Sequence, residues 1–96
     1  MWILDELVGF DWDDGNRGKN LDKHAVSDLE CEQVFFNRPI VVLDDETHSD
    51  AEPRYFVLGR TDARRRIFLV FTPRQDRIRV ISARDMTKKE RQYYPL

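Results

Sequence analysis

The chain has 96 residues, of which 41% are hydrophobic and 35% charged, and its formal net charge is −2. This balance excludes a disordered chain, and we expect one domain over residues 1–96. Cys31 is the only cysteine, which excludes an intramolecular disulfide and is typical of a reducing compartment. We find neither a signal peptide nor an apolar run near the ~20 residues of a membrane helix, so we expect a cytoplasmic protein without membrane contact.

The small net charge conceals a strong asymmetry along the chain. Residues 1–52 carry 14 Asp and Glu against 4 Lys and Arg, whereas residues 53–96 carry 4 against 12. Two interpretations stay open. The basic part binds an anionic partner, or the two parts pair with each other inside the fold.

Two helices are expected in the first part of the chain. Residues 7–12 alternate loosely in hydropathy and predict a short first strand. Asp13 is then expected to cap a polar surface helix that ends near His24. Ser27 and Glu30 form a capping-box pattern, which predicts a second helix with an apolar side.

The rest of the chain predicts a sheet. Strands are indicated over residues 39–45, 54–60, 65–72 and 76–84, and Pro73 is expected to set the last turn. A second capping box, at Thr87 and Glu90, predicts a final short helix. We therefore expect an α+β fold. Its antiparallel, mostly meander sheet would carry the two N-terminal helices on one face and leave the other face open, with a short C-terminal helix following.

Arginines on the predicted strands are the strongest functional signal. Side-chain alternation places Arg77, Arg79, Ile81 and Ala83 on the face of the last strand that is expected to be open. Arg60 and Arg84 lie on strands of the same sheet. Guanidinium groups bind phosphate through two donors, so this face could hold an RNA backbone. Alternatively, these arginines are solvated and paired with nearby aspartates.

Other chemistry is weakly indicated. His24 is a candidate acid or base because imidazoles exchange protons near neutral pH, or it stabilises a helix C-terminus by its charge. Lys23 either contacts phosphate or is solvated, and His48 lies in an acidic loop close to Glu52. The sequence contains no metal-ligand spacing, phosphate-binding glycine loop or nucleophile elbow, so we predict no metal and no cofactor.

Four motifs in register resemble the BrnT family of toxins from type II toxin–antitoxin systems. They are W-D at 12–13, N-x-x-K-H at 20–24, H-S-x-x-E-x-R at 48–54, and I-R-x-I-S-A-R at 78–84 followed by E-x-x-x-Y at 90–94. The resemblance runs from Phe10 to Tyr94, and residues 1–8 form a short N-terminal extension. Two departures stand out: Ala25 replaces the usual glycine after K-H, and "DLECE" replaces the usual F-E-E-A.

The resemblance implies a RelE-like fold and a ribonuclease that stops translation and growth. It also implies a BrnA-like antitoxin, with which the toxin forms a hetero-oligomer, expected to be a heterotetramer. That complex would bind operator DNA only through the antitoxin and repress its own operon. The alternative is an inactive toxin-like module that serves as a co-repressor subunit.

A mechanism without a metal fits both the residues and the resemblance. The 2′-hydroxyl attacks the adjacent phosphate, which requires a proton acceptor and cations that stabilise the developing charge. We predict that Arg79 and Arg77 hold the phosphate and that His24 and Glu52 transfer protons. The residues expected to bind RNA around them are Lys23, His48, Arg54, Arg60 and Arg84.

Overall fold

In a computed structural model, residues 3–48 and 52–95 are described. A four-stranded antiparallel sheet has its strands in chain order, β1-β2-β3-β4, so the α+β class and the meander are confirmed. Short 3₁₀ turns cover Ile3–Glu6 and Glu46–His48. The helices and strands are α1 (Lys19–His24), α2 (Asp28–Phe36), β1 (Val41–Asp44), β2 (Tyr55–Arg60), β3 (Arg66–Arg74), β4 (Arg77–Asp85) and α3 (Lys88–Tyr93).

The predicted strand over residues 7–12 is wrong, since only Phe10 makes a bridge, to Ile78. The segment nevertheless follows the outer edge of β4. The Asp11 N–H donates to the Ile78 carbonyl at 2.8 Å, and the Ile78 N–H donates to the Gly9 carbonyl at 2.8 Å. The segment thus covers main-chain groups that would otherwise face solvent.

Two asparagine side chains continue this cover further along β4. Asn16 Nδ2 donates to the Val80 carbonyl at 3.1 Å, and the Ala83 N–H donates to Asn20 Oδ1 at 2.9 Å. Both asparagines are buried. Asn20, the first residue of the N-x-x-K-H motif, therefore fixes α1 to the edge of β4.

Helix α1 is shorter than predicted. Asp13 is not its cap: the Asp13 carboxylate accepts from the Gly15 N–H at 2.7 Å in a separate turn, and Gly18 precedes the first helical residue. The helix ends at His24, as predicted. Ala25 then adopts the left-handed conformation at φ 56°, so alanine occupies the backbone geometry that usually favours glycine.

Helix α2 covers the core face of the sheet. Both hydrogen bonds of the predicted capping box are present between Ser27 and Glu30. The helix approaches β2 closely at Gly59, where an added Cβ would lie 2.7 Å from Val34 Cγ1. Both N-terminal helices were predicted on one face; α2 packs there, but α1 lies at the edge of β4. The sheet contributes Val57, Ile67, Leu69, Phe71, Ile78, Val80 and Ala83 to the core.

The β3–β4 hairpin differs from the prediction in two ways. Pro73 lies within β3, opposite Ile78, so the turn is made at Gln75, which has φ 58°. A bulge leaves Ile81 as an extra residue, because Phe71 pairs with Val80 while Val70 pairs with Ser82. The bulge reverses the alternation, so that Ala83 faces the core and not the side of the arginines.

We call the sheet surface opposite the core the open face; its central residues are Phe56, Leu58, Phe68, Val70 and Ser82. Helix α3 covers part of it, and its predicted capping box is present. Met86 and Tyr94 pack there against Leu58, and the Tyr94 hydroxyl donates to the Pro39 carbonyl. Among the described helices, none has the length and apolar character needed to cross a membrane.

Candidate functional site

The structure divides the predicted site residues between the two ends of the β3–β4 hairpin. Strand β3 has nine residues, which corresponds to about 26 Å at ~3.3 Å per residue. The turn end, around residues 74–77, holds Glu52, Arg54, Arg77 and Arg79. The far end, around residues 65 and 85, holds Lys23, His24, Arg60 and Arg84. The side chain of His48 lies outside the described part of the structure.

Arg77 is the most accessible of these arginines at the turn end. It begins β4, opposite Arg74, and its side chain points away from the core because its neighbour Ile78 points into it. Arg77 is exposed and forms no ion pair within residues 3–48 and 52–95. Its guanidinium group is therefore available to an anion from solvent.

Glu52 lies beside this position through its contact with Arg74. Arg74 Nη2 donates to Glu52 Oε1 at 3.0 Å and to Oε2 at 3.2 Å. The Glu52 side chain remains 43% exposed. A solvent-accessible carboxylate thus lies at the same end of the hairpin as Arg77.

Arg79 is enclosed to a much greater degree. Its side chain is 14% exposed, and Nη2 donates to Asp13 Oδ1 at 2.9 Å. Nη1 lies 3.6 Å from Asp11 Oδ2 and makes no hydrogen bond. The hydrogen bond from Arg79 is the main cause that lowers the pKa of the Asp13 carboxyl, and the same bond raises the pKa of Arg79.

Gly15 is part of the enclosure around Arg79. A Cβ at Gly15 would lie 2.7 Å from Arg79 Nη2 and 3.0 Å from Asp13 Oδ1. A larger residue would therefore compete with the ion pair for space. The polar stretch after W-D, which the sequence predicts as helix, is a turn that surrounds an arginine from β4.

Sequence reasoning missed Asp13 and Arg74 as members of this cluster. Asp13 is 66 positions from Arg79, and spacing alone gives no reason to pair them. The signal in the sequence that could have indicated this pair is that W-D and I-R-x-I-S-A-R are both among the motifs that resemble the BrnT family. The structure shows that these two motifs meet through Asp13 and Arg79.

The far end is organised by Arg65. Arg65 Nε donates to Asp85 Oδ1 at 2.7 Å, and Nη1 donates to Glu30 Oε2 at 3.2 Å. Nη1 also donates to the Ala25 carbonyl at 2.7 Å, and Nη2 to the His24 carbonyl at 3.3 Å. Arg65 therefore joins the end of α1, the start of α2 and the end of β4.

This network sets the charge of its carboxylates. The hydrogen bonds from Arg65 are the main cause that lowers the pKa of Asp85. The pKa of Glu30 is also lowered, first by the Ser27 N–H of the capping box and then by Arg65. Both groups are thus held as anions, and the pKa of Arg65 is raised in turn.

The two far-end arginines predicted to bind phosphate have internal partners. Arg84 forms two hydrogen bonds with Glu90, at 2.8 and 3.0 Å, and its Cζ lies 4.2 Å from the Phe68 ring centroid. The bonds with Glu90 raise the pKa of Arg84 and lower that of Glu90. Arg60 Nε donates to the Arg38 carbonyl at 3.0 Å. These contacts favour a structural role over phosphate binding.

The two candidate proton-transfer residues do not come together. The main chain of His24 is bonded to Arg65 at the far end, whereas Glu52 is bonded to Arg74 at the turn end. The length of β3 separates these positions. His24 and Glu52 therefore cannot act on the same phosphate in this arrangement.

Neither the cysteine nor a metal-ligand cluster offers further chemistry among the described residues. Cys31 is fully buried in α2, and burial raises the pKa of its thiol to about 12, which keeps it protonated. Within residues 3–48 and 52–95, no three His, Cys, Asp or Glu side chains are arranged to hold a metal ion.

Comparison with known proteins identifies a family whose sequence pattern this chain matches. Residues 12–90 match the family described as the ribonuclease toxin BrnT of type II toxin–antitoxin systems. No curated protein matches the chain. The match covers most of the chain and includes the turn around Asp13, the hairpin and the capping box before α3. The chain therefore belongs to the BrnT family of ribonuclease toxins.

Proposed function

We propose that this chain is a cytoplasmic endoribonuclease toxin that cleaves RNA at the turn end of the β3–β4 hairpin and so arrests translation and growth. We further propose a RelE-like fold relationship and neutralisation by a BrnA-like antitoxin. The pair forms a heterotetramer that represses its operon through the antitoxin's contact with operator DNA. The observation that carries the proposal is the exposed Arg77, which has no ion pair among the described residues and lies beside the Glu52–Arg74 pair.

The proposed reaction uses the RNA's own 2′-hydroxyl as the nucleophile. Its oxygen attacks the adjacent phosphorus, and the bond from phosphorus to the 5′-oxygen breaks, which leaves a 2′,3′-cyclic phosphate and a 5′-hydroxyl. Glu52 accepts the proton of the 2′-hydroxyl, and the leaving oxygen takes a proton from water. Arg77 binds the phosphate oxygens and stabilises the charge that develops on them.

Arg79 has a more restricted part in this proposal than the sequence suggests. Its Nη2 is bonded to Asp13, so a phosphate oxygen reaches that donor only by displacing the carboxylate. Without displacement, Arg79 holds Asp13 as a fixed anion. His24 and Lys23, at the far end, would contact a distant part of a longer RNA strand and not the cleaved bond.

The test compares Arg77→Ala and Glu52→Gln with Arg64→Ala as a matched control. Arg64 is an exposed arginine in the turn before β3 and lies at the far end of the hairpin. With purified protein and total RNA, we expect Arg77→Ala to slow cleavage by about 100-fold. Glu52→Gln should slow it by about 100-fold as well, whereas Arg64→Ala should cleave at the wild-type rate.

Further measurements in the same assay test the proposed cleavage mechanism. Cleavage that persists in EDTA supports the metal-independent mechanism, and loss of cleavage that Mg²⁺ restores would contradict it. Wild-type cleavage by Arg77→Ala would remove the turn end from the mechanism. The products should carry 2′,3′-cyclic phosphate and 5′-hydroxyl ends; 5′-phosphate ends would exclude attack by the 2′-hydroxyl.

A non-catalytic co-repressor is the second candidate, and one observation favours it. Arg65, Arg74, Arg79 and Arg84 are all held in internal ion pairs, as expected for arginines that stabilise a fold. This alternative predicts a stable complex with the antitoxin and operator binding, with no RNA cleavage by wild-type protein.

A further inference from the structure

The open face carries an apolar groove that the proposed RNA site does not use. Three adjacent strands line it with Leu43, Phe56, Leu58 and Phe68, and α3 adds Tyr93 on its other side. The groove has a volume of about 900 Å³. Leu43 is 45% exposed and Tyr93 is 65% exposed. A continuous apolar surface of this kind is typical of a binding site for another molecule.

The lining favours a peptide over a nucleotide. Its central side chains are leucine and phenylalanine, and Phe56 and Phe68 already contact each other at 5.4 Å between ring centroids. Leucine and phenylalanine offer no donor or acceptor to the polar edges of a base. They do accommodate the apolar side chains of an amphipathic helix, whose diameter of about 10–12 Å suits a groove between strands and a helix.

The charges around the groove identify the kind of peptide. Lys89 lines it, and Arg66 precedes Phe68 by two residues on the same face. Neither forms an ion pair among the described residues, whereas the neighbouring Glu90 is neutralised by Arg84. The side of the groove formed by α3 and the start of β3 is therefore positive and complements an acidic ligand.

The same charges disfavour a second copy of this chain as the occupant. A twofold dimer through the open face would bring one set of Arg66 and Lys89 against the other set. Opposed like charges weaken such an interface. A type II family has a protein antitoxin as partner, and an antitoxin segment with an apolar stripe and acidic flanks meets both requirements.

We propose that the groove on the open face is a docking site for an acidic, amphipathic helix of the antitoxin. The antitoxin then holds the toxin on the open face and not through the catalytic arginine itself. This inference rests on the toxin–antitoxin part of the proposed function but not on RNA cleavage. Binding and cleavage should consequently be separable by mutation.

The experiment uses Leu43→Glu and Tyr93→Glu, with Leu29→Glu as the matched control. Leu29 is 63% exposed on α2, away from the open face, so the same chemical change there leaves the groove intact. The probe is a purified BrnA-like antitoxin, and its affinity is measured by calorimetry. We expect each groove variant to bind about 30-fold or more weakly. Leu29→Glu should bind as wild type does, and thermal melting should show that all variants are folded.

Each result has a defined meaning. Wild-type antitoxin affinity in both groove variants would overturn the proposal. The proposal would also be overturned if sedimentation showed that the free chain is a homodimer and that Leu43→Glu dissociates it. Loss of RNA cleavage in the groove variants with unchanged antitoxin affinity would overturn it as well. If the wild-type chain cleaves no RNA but the groove variants still lose the antitoxin, the docking site stands and the nuclease proposal fails.

Discussion

The two ends of the β3–β4 hairpin contain the same residue type in opposite situations. At the far end, Arg65 is bonded to two carboxylates and two main-chain carbonyls and is 27% exposed. At the turn end, Arg77 is exposed and has no ion pair among the residues that the structure describes. Both residues belong to the basic second part of the chain, and their sequence surroundings do not distinguish them.

This difference teaches which arginines of a basic surface are free to bind a ligand. An arginine whose donors are already occupied must break internal hydrogen bonds before it contacts phosphate, and each such bond to a charged group is worth about 1.5–3 kcal/mol. An unpaired arginine gives up only its hydrogen bonds to water when it binds phosphate. Pairing between the acidic and basic parts of the chain is therefore confirmed for Arg65, Arg74 and Arg79, whereas binding of an anionic partner by Arg77 stays a prediction.

The largest expected effect is on folding stability at the far end. Arg65→Met should lower the free energy of unfolding by about 2 kcal/mol, because Glu30, Asp85 and two carbonyls lose a donor. Arg77→Met is the matched change and should alter the free energy of unfolding by less than about 0.5 kcal/mol. Urea denaturation of both variants measures the difference. Equal losses would show that Arg77 also has a structural role.

A smaller effect on folding stability is expected at low pH, and it arises from the same Arg65 network. Because the pKa values of Asp85 and Glu30 are lowered in the folded state, their contribution to stability is fully present above the ordinary carboxyl value of about 4. It is lost as the pH falls through the lowered, folded-state values.

Unfolding curves measured between pH 6 and pH 2.5 test this predicted loss of stability. Wild type and Arg77→Met should lose stability in parallel as the carboxylates become protonated. Arg65→Met should show a flatter profile, because Asp85 has lost the main cause of its lowered pKa. Identical profiles of stability against pH for all three proteins would show that Arg65 does not cause the loss of stability in acid.

The smallest expected effect is a gain in stability next to Arg65. Ala25 has φ 56°, where glycine is tolerated without a Cβ penalty, so Ala25→Gly should raise the free energy of unfolding by about 0.5–1 kcal/mol. The matched change Ala63→Gly, in the exposed turn before β3, should not stabilise the protein. A loss of stability in Ala25→Gly would mean that the Ala25 methyl group has a packing role.

The sequence was sufficient for features that depend on neighbouring residues. Both capping boxes, at Ser27–Glu30 and Thr87–Glu90, formed as predicted, because the partners lie three positions apart. The strands over residues 39–45, 54–60, 65–72 and 76–84 were found within two residues at each end. The segment 7–12 failed as a strand because it meets the edge of β4 at a single bridge.

The candidate site could be predicted only in part. Arg77 was correctly placed on the open face, because alternation holds from Arg77 to Val80. It fails after the bulge, where Ile81 is an extra residue of β4 and shifts the pairing with β3 by one position. The Asp13–Arg79 and Glu52–Arg74 pairs join distant segments, and a pattern of local spacing contains no information about them.

The sequence by itself determined the α+β class, both capping boxes, the four strands of the sheet and the accumulation of arginine in the second part of the chain. Only the tertiary structure decided which arginines are paired, which candidates share an end of the hairpin and which apolar side chains border a groove. The physical reason is range. Capping and alternation act between residues a few positions apart, whereas ion pairs and grooves form where the folded chain brings remote segments within a few ångströms.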